Sequence, residues 1–465
     1  MKVKFILPKI VEAESGGYRP IKYSLFPPLG LATLASYLAP GDEAEIADEH
    51  VEKLRLTDSP DLVCLEVYAT CARRAYAIAD SYRARGIYVA MGGLHPTAMP
   101  DEAARHADTV VTGPGEGAFP AFLRDFRAGA PLPRYFSPER TLDPFPHPRR
   151  DLIKSSNYLV PGCVSLSRGC PHSCNFCYKE NFLRGGRGYY RAALEAAVAE
   201  VASLPWRHVF FMDDNIFADE KFAMDFFREI APLKKVWQGA ATVKSMRNGP
   251  LMDAAAASGA GSLFVGFETI NGDSLRGHGK FHNATSEYSA AIRAAHSRGI
   301  MINSSFVFGM SGDGPDVFGR TVDWAVSEGL ETATFHILTP YPGSALFDGF
   351  KRRGELLTEN WDLYDTRHCV FRHPRISPER MEEGYWKSYG DFYSWRSIFA
   401  GARANGSFLA GARHFAYAAS WKKMEFLWRA VIAAKRLPLA TPVLESVLRS
   451  RSGALKPSPP TAAPQ

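Results

Sequence analysis

The chain has 465 residues, of which 46% are hydrophobic and 22% charged, with a formal net charge of +6. That length leaves room for two or three domains of ordinary globular composition, and so mild a basic excess does not by itself point to nucleic acid. Seven cysteines in such a chain make no disulfide scaffold, and no apolar run is long enough to predict a membrane span.

Residues 1–127 are expected to form an α/β domain. The opening MKVKFILPKIV turns polar too soon for a signal peptide, and Val3 to Leu7 reads as a first strand. Pro28 to Leu38 carries leucines at helical spacing, Ala44 to Ala47 reads as a strand ending at Asp48, and Asp61 to Val67 as a third. Helix Ala72 to Arg85 leads to strand Ile87 to Met91, which runs into Gly92, Gly93, Leu94, His95 and Pro96. A fifth strand, Thr109 to Thr112, ends in Gly113, with Gly115, Glu116 and Gly117 before another helix. Strands alternating with helices predict a parallel, doubly wound sheet, whose ligands bind beyond the carboxyl ends of the strands. The glycines fall there, where backbone can approach a large flat ligand closely. The same glycines also suit a domain that packs and holds no cofactor.

Residues 128–160 are rich in proline and poor in periodicity, the mark of a linker draped over the surface. Residues 163–178 follow, reading CVSLSRGCPHSCNFCY. A strand-like Cys163 to Ser167 gives way to a loop with Cys170, Cys174 and Cys177. Three thiolates on one short loop can converge on one metal centre, and a 4Fe-4S cluster held by three keeps one iron open. Competing readings are buried free thiols or zinc, which wants a fourth ligand; His172 would have to fold back to supply it. Thiolates that hold a cluster need a reducing compartment, so a cytoplasmic location is expected.

From 161 to 345 a strand–helix rhythm recurs. Helix Arg191 to Leu204 precedes strand His208 to Met212, which ends in Asp213, Asp214 and Asn215. A helix about Glu220 to Ile230 precedes strand Val236 to Val243, which ends in Lys244 and Ser245. Helix 249–258 precedes strand Ser262 to Phe267, which ends at Glu268. Helix Ser286 to Arg298 precedes strand Met301 to Phe308, and helix Val317 to Glu328 precedes strand Thr332 to Leu338, with Tyr341 just beyond. Six strands and five helices fit a partial (β/α)6 barrel, with its reactive site at the carboxyl ends of the strands.

The cysteine loop resembles the cluster motif of the radical S-adenosylmethionine superfamily, C-x3-C-x-aromatic-C, with Phe176 as the aromatic. FPPLGLATLASYL (26–38), MGGLHPTAMPDEA (91–103) and ADTVVTGPGE (107–116) resemble the N-terminal domain of its cobalamin-dependent members. The resemblance implies that the open iron chelates S-adenosylmethionine and that one electron cleaves it to methionine and a 5′-deoxyadenosyl radical. It places Phe176 near the adenine, Asp213 and Asp214 at the methionine amino group, Lys244 and Ser245 at ribose or carboxylate, and Glu268 where it orients the cofactor. For cobalamin it indicates Gly92, Gly93, His95, Gly113, Gly115 and Glu116. The cobalt-binding D-x-H-x-x-G motif is missing from residues 8–20. Asp48-x-His50 is half of it, with Lys53 in place of the glycine, so no histidine is expected on cobalt.

Each residue has a plainer reading beside the functional one. Asp213 and Asp214 suit strand-end capping, Glu268 a salt bridge in the barrel mouth, and His336 a packed, hydrogen-bonded position. His336 and Tyr341 are nonetheless candidates for contact with a substrate radical. Arg184, Arg187 and Arg191 form a basic loop that suits water or an anionic substrate.

Residues 346–451 read as a mainly helical region. Its aromatic start could cover the barrel mouth, and Cys369 reads as an ordinary thiol. Phe408, Phe415, Tyr417, Trp421, Phe426 and Trp428 lie among Arg413, Lys422, Lys423, Arg429, Lys435 and Arg436, a pattern that suits packing on the barrel or peripheral contact with an anionic membrane. Residues 452–465 are disordered by composition. The implied function is a cobalamin-dependent methyltransferase. One S-adenosylmethionine supplies a methyl group through cobalamin, a second supplies the radical, and the acceptor is an unactivated carbon of a small organic or lipid-like substrate in secondary metabolism. The implied partner is a one-electron donor such as flavodoxin or ferredoxin. The rivals are a ring-forming or rearranging enzyme that keeps the first domain, and a non-enzymatic iron–sulfur sensor or carrier.

Overall fold

The computed structural model describes residues 1–10, 24–280 and 283–424, with 427, 430–431, 434, 436 and 439–449 beyond them. Phe426, Trp428, Arg429, Lys435, residues 11–20 and the tail 452–465 lie outside the described residues.

The first sheet has six parallel strands: β1 (Lys2–Leu7), β2 (Glu43–Asp48), β3 (Leu62–Glu66), β4 (Tyr88–Gly92), β5 (Thr109–Thr112) and β6 (Arg134–Phe136). Their order is β2-β1-β3-β4-β5-β6. The central β3 is apolar from Leu62 to Leu65 because helices cover both of its faces. The winding reverses between β1 and β3, so the ligand crevice of the doubly wound arrangement opens at the carboxyl ends of these strands. Helix Ala72–Arg83 seals one face with Ala75, Ile78 and Ala79, and helix Gly115–Arg127 seals the other with Phe119, Phe122 and Leu123.

β6 corrects the reading of 128–160 as a bare surface linker. Arg134–Phe136 pairs in parallel with β5, and Tyr135 and Leu142 are buried. Three residues carry too little alternation to announce a strand.

The second sheet is built from β7 (Cys163–Val164), β10 (His208–Phe211), β11 (Val236–Ala241), β12 (Ala260–Glu268), β13 (Met301–Phe308) and β14 (Thr332–Ile337), all parallel, in the order β14-β13-β12-β11-β10-β7. Its core is aromatic: Phe267 stacks on Phe306 with centroids 5.9 Å apart, and Phe306 on Phe335 at 5.9 Å. Between β7 and β10 runs a two-stranded antiparallel ribbon, β8 (Ser167–Gly169) against β9 (Tyr189–Arg191). The helix expected from Arg191 starts at Leu194, because Arg191 is paired in this ribbon. It also ion-pairs with Asp219 at 3.0 Å, while Arg184 and Arg187 are exposed.

The C-terminal region is mainly helical, and it covers open edges. Tyr389 on helix Pro378–Phe392 and Tyr393 just after it accept the backbone N–H groups of Phe335 and Ala333, both at 3.1 Å, and so satisfy these groups on the edge of β14. The segment after helix Ala345–Arg353 reaches back to the first domain. Trp361 and Tyr364 are buried in its core, and the Trp361 indole donates to Glu102 at 3.0 Å. Cys369 is buried, donating to the Phe371 carbonyl.

Candidate active site

The ribbon of β8 and β9 closes the base of the cysteine loop. Gly169 sits there at φ +80°, and a Cβ would stand 2.1 Å from the Gly188 carbonyl oxygen, so only glycine lets the two strands meet. The loop then turns tightly, with the Cys177 amide donating to the Cys174 carbonyl at 3.0 Å. Cys174 is buried; Cys170 and Cys177 are partly so. Burial pushes all three thiols up, Cys177 to about 12, while backbone N–H groups and the ammonium groups of Lys179 and Lys280 pull the other way.

Among the described residues no three His, Cys, Asp or Glu side chains are drawn into a closed metal-ligand set. The donor set nonetheless fits an iron–sulfur cluster. It offers soft thiols on one turn, flanking N–H groups aimed at sulfur, and two nearby cations against an anionic centre.

Asp213 and Asp214, at the carboxyl end of β10, hold this loop in place. Asp213 is buried and accepts the Ser167 hydroxyl and, at 3.3 Å, the Leu166 amide. Burial pushes its carboxyl up to about 6 against those donors. Asp214 accepts the Gly169 amide at 3.0 Å and the Tyr178 hydroxyl at 2.9 Å. The two carboxylates therefore bracket the cysteines, Asp213 from before and Asp214 from both sides.

Glu268 has φ +64° and forms an ion pair with the buried Lys280, whose ammonium also donates to the Gly266 carbonyl at 2.9 Å. Ser245 is buried and caps the short helix Val243–Met246 reciprocally with Thr242, while Lys244 is exposed. Phe176 packs edge-on against His278, centroids 6.1 Å apart. His278 is itself tied to Asn175 of the cysteine loop at 3.1 Å.

A cavity of about 460 Å³ lies between this loop and the first sheet. One wall is the carboxyl edge of that sheet: Leu7, Glu66, Gly92, Gly93 and Gly113, with Leu29 and Leu34 from the helix after β1. The other wall is Ser165, Arg168, Gly169, Tyr178, Phe182, Met212 and Asp214. Its volume is that of an ordinary ligand pocket. Most of the surface is apolar, and five charged groups, Glu66, Glu116, Arg168, Lys179 and Asp214, are spaced around it. Arg168 joins the two walls, its guanidinium meeting Glu116 at 2.7 and 2.8 Å. Burial raises the Glu66 carboxyl, which accepts the Tyr68 hydroxyl at 2.9 Å. This concave apolar floor on glycine-lined strand ends fits a large planar cofactor.

Of the residues singled out for cobalamin, Gly92, Gly93, Gly113, Gly115 and Glu116 line the cavity. Gly93 and Gly115 are also required by the chain itself. A Cβ on Gly93 would press within 3.0 Å of the Val67 backbone, and one on Gly115 would stand 2.8 Å from the Leu34 side chain. His95 does not line the cavity. It is buried behind it, 3.3 Å from Glu102 and edge-on to Trp361, because the turn after β4 carries it into the core shared with the C-terminal region. Asp48 and His50 bond to each other at 3.0 Å and also face away. His336 approaches Thr366 at 3.1 Å, and Tyr341 packs against the first-domain core; neither reaches the cavity.

Arg168, Tyr178, Glu66 and Lys280 were not predicted. Arg168 and Tyr178 bracket the cysteine run and Glu66 ends a strand at the sheet's switch point, both readable signals. Lys280 has none, since its partner is 12 residues away across the short helix Gly272–Gly277.

Residues 23–123 match the B12 binding domain family and residues 164–325 the Radical SAM superfamily. The chain is 28% identical over 356 residues to bacteriochlorophyllide d C-12(1)-methyltransferase of Chlorobaculum tepidum, covering 73% of this chain and 76% of that protein. It is 28% identical over 403 residues to the C-8(2)-methyltransferase of the same organism, covering 80% and 86%. Among solved structures, the radical S-adenosylmethionine methyltransferase TsrM from Kitasatospora setae shares the fold with a TM-score of 0.67 at 16% identity, covering 92% of this chain and 99% of that one.

Proposed function

The chain is a radical S-adenosylmethionine enzyme with a cobalamin-binding domain, and from that premise we propose that it transfers a methyl group to an unactivated carbon of a small organic or lipid-like molecule. The observation that carries this reading is a cavity walled on one side by the cobalamin-type sheet and on the other by the cysteine loop. Both relatives named above are methyltransferases acting on bacteriochlorophyllide d, which supports methyl transfer here.

When bound, the cluster and S-adenosylmethionine supply a carbon-centred radical and cobalamin supplies the methyl group. The chain's own residues do the rest. Cys170, Cys174 and Cys177 hold the cluster, and Lys179 and Lys280 offset its negative charge. Asp213 and Asp214 fix the loop that carries these thiols. Phe176 offers its ring to the adenine. Glu268, held by Lys280, keeps an acceptor at the barrel mouth. Leu29, Leu34, Met91 and Phe182 keep water from the cavity, which protects a radical from quenching. A one-electron donor such as flavodoxin or ferredoxin completes the system in the cytoplasm. Among the described residues no helix is long and apolar enough to cross a membrane.

The test is the ratio of co-products from the reduced holoenzyme. Methyl transfer of this kind yields S-adenosylhomocysteine and 5′-deoxyadenosine in equal amounts and adds one carbon and two hydrogens to the acceptor. Deoxyadenosine without S-adenosylhomocysteine, and an acceptor of unchanged mass, would overturn the proposal in favour of ring formation or rearrangement.

A further inference from the structure

The helix pair Trp395–Ala404 and Phe408–Lys422 carries an apolar face that nothing in the described chain covers. Trp395 and Phe399, one helical turn apart, stand 6.0 and 5.1 Å from the ring of Phe415. Phe408, two turns before Phe415 on the same face, is 94% exposed, and Leu409, Trp395 and Phe399 are each about half exposed. Single exposed apolar residues are ordinary, but a contiguous aromatic face is not.

Between Asp391, which is ion-paired with Lys387 at 2.7 Å, and Glu425, the charges of the helix pair are all basic. Residues 392–424 include Arg396, Arg403, Arg413, Lys422 and Lys423 and no Asp or Glu. Arg413 is spent inside, donating to the carbonyls of Gly299, Val447 and Leu448. Arg396 and Arg403 are exposed, and Lys423 lies 5.5 Å from the Trp395 ring.

The face lies at the end of the barrel opposite the cysteine loop. The Tyr417 hydroxyl accepts from Gln238 near the start of β11, and Asn405 donates to the Gly329 carbonyl just before β14. The cysteines follow the carboxyl end of β8, on the far side of a sheet whose strands span about 20 Å. That distance argues against an electron donor, which must approach the cluster. The shared positive sign argues against a second copy, since like-charged faces repel.

We propose that this face docks the enzyme on an anionic lipid bilayer, with Trp395, Phe399 and Phe408 entering the headgroup region and Arg396, Arg403 and Lys423 meeting lipid phosphates. Aromatic rings among basic residues suit this boundary, because the rings bury apolar area while the cations stay at headgroup level. In this orientation the barrel mouth faces the aqueous side, so docking fixes location and leaves the mouth open to substrate. The inference is independent of the reaction assigned above.

The experiment is flotation of the full chain with vesicles of phosphatidylcholine alone or mixed with phosphatidylglycerol. The protein floats with the anionic vesicles only, and high salt releases it. Phe408→Asp, at a side chain that packs on nothing, lowers the bound fraction at least about tenfold, and Arg396→Gln with Arg403→Gln weakens binding without changing the apolar face. Circular dichroism of each variant stays that of the parent. Protein that ignores anionic vesicles, or that binds as well with Phe408→Asp, overturns the proposal. So does a dimer in solution that Phe408→Asp dissociates, since the face would then be a self-association surface.

Discussion

At the scale of single residues, the cysteine loop depends on a few polar contacts whose loss has distinct consequences. Replacing Cys170, Cys174 or Cys177 by Ser is expected to abolish iron binding, read as iron and sulfide per chain after anaerobic reconstitution. Tyr178→Phe removes only the hydroxyl that meets Asp214 at 2.9 Å. It should cost about 1 kcal/mol in chemical denaturation while the cluster still assembles. Asp313, after β13, accepts the Gly309 and Met310 amides through one oxygen, and burial pushes its carboxyl up to about 6. The folded state thus holds this proton more tightly than the unfolded chain. Its contribution is full below the ordinary aspartate range and is lost as pH rises through about 6. Asp313→Asn, which keeps an accepting oxygen, should therefore gain up to about 3 kcal/mol over the parent between about pH 4 and about pH 7. Denaturation curves at the two pH values decide this, and an equal difference at both would contradict it.

At the scale of elements, period made most of the fold readable. Strands Met301–Phe308 and Thr109–Thr112 and helix Glu220–Ile230 stand where their patterns place them. The helix is capped by Asp219 and buries Phe222, Phe226, Phe227 and Ile230 on one face. What escaped was too short to have a period: β6, β8 and β9 have three residues each. The site shows the same division. Three cysteines on one short loop point to a metal centre by their spacing, and Phe176 joins them only through the family resemblance, whereas His95, beside a glycine pair, looks like a ligand and is carried into the core instead. Lys280 meets Glu268 only because the segment around the short helix Gly272–Gly277 folds back.

The ribbon of β8 and β9 gives the sharpest element-level prediction. Gly169→Ala forces a Cβ against the Gly188 carbonyl at a positive φ, so the base of the loop must open. We expect soluble protein with iron content reduced by more than half, whereas Gly188→Ala, where a Cβ meets nothing within 4 Å, should keep its iron.

At the scale of the whole molecule, the C-terminal region and the first domain share a core. Trp361→Ala should cost about 3–5 kcal/mol as a large buried side chain is lost, and the first domain's transition should fall with it. The Arg168–Glu116 pair spans the cavity between the two sheets. Glu116→Gln is expected to weaken corrin retention several-fold with little change in iron content, read from the visible spectrum after gel filtration.

The measurement that bears most directly on the account is the corrin content of enzyme produced with a cobalamin supply and purified without oxygen, determined from its visible spectrum alongside iron and sulfide. The account predicts one corrin per chain together with a filled cluster. A filled cluster that cleaves S-adenosylmethionine while no corrin is retained would contradict it, leaving the first domain as a scaffold and methyl transfer without its carrier.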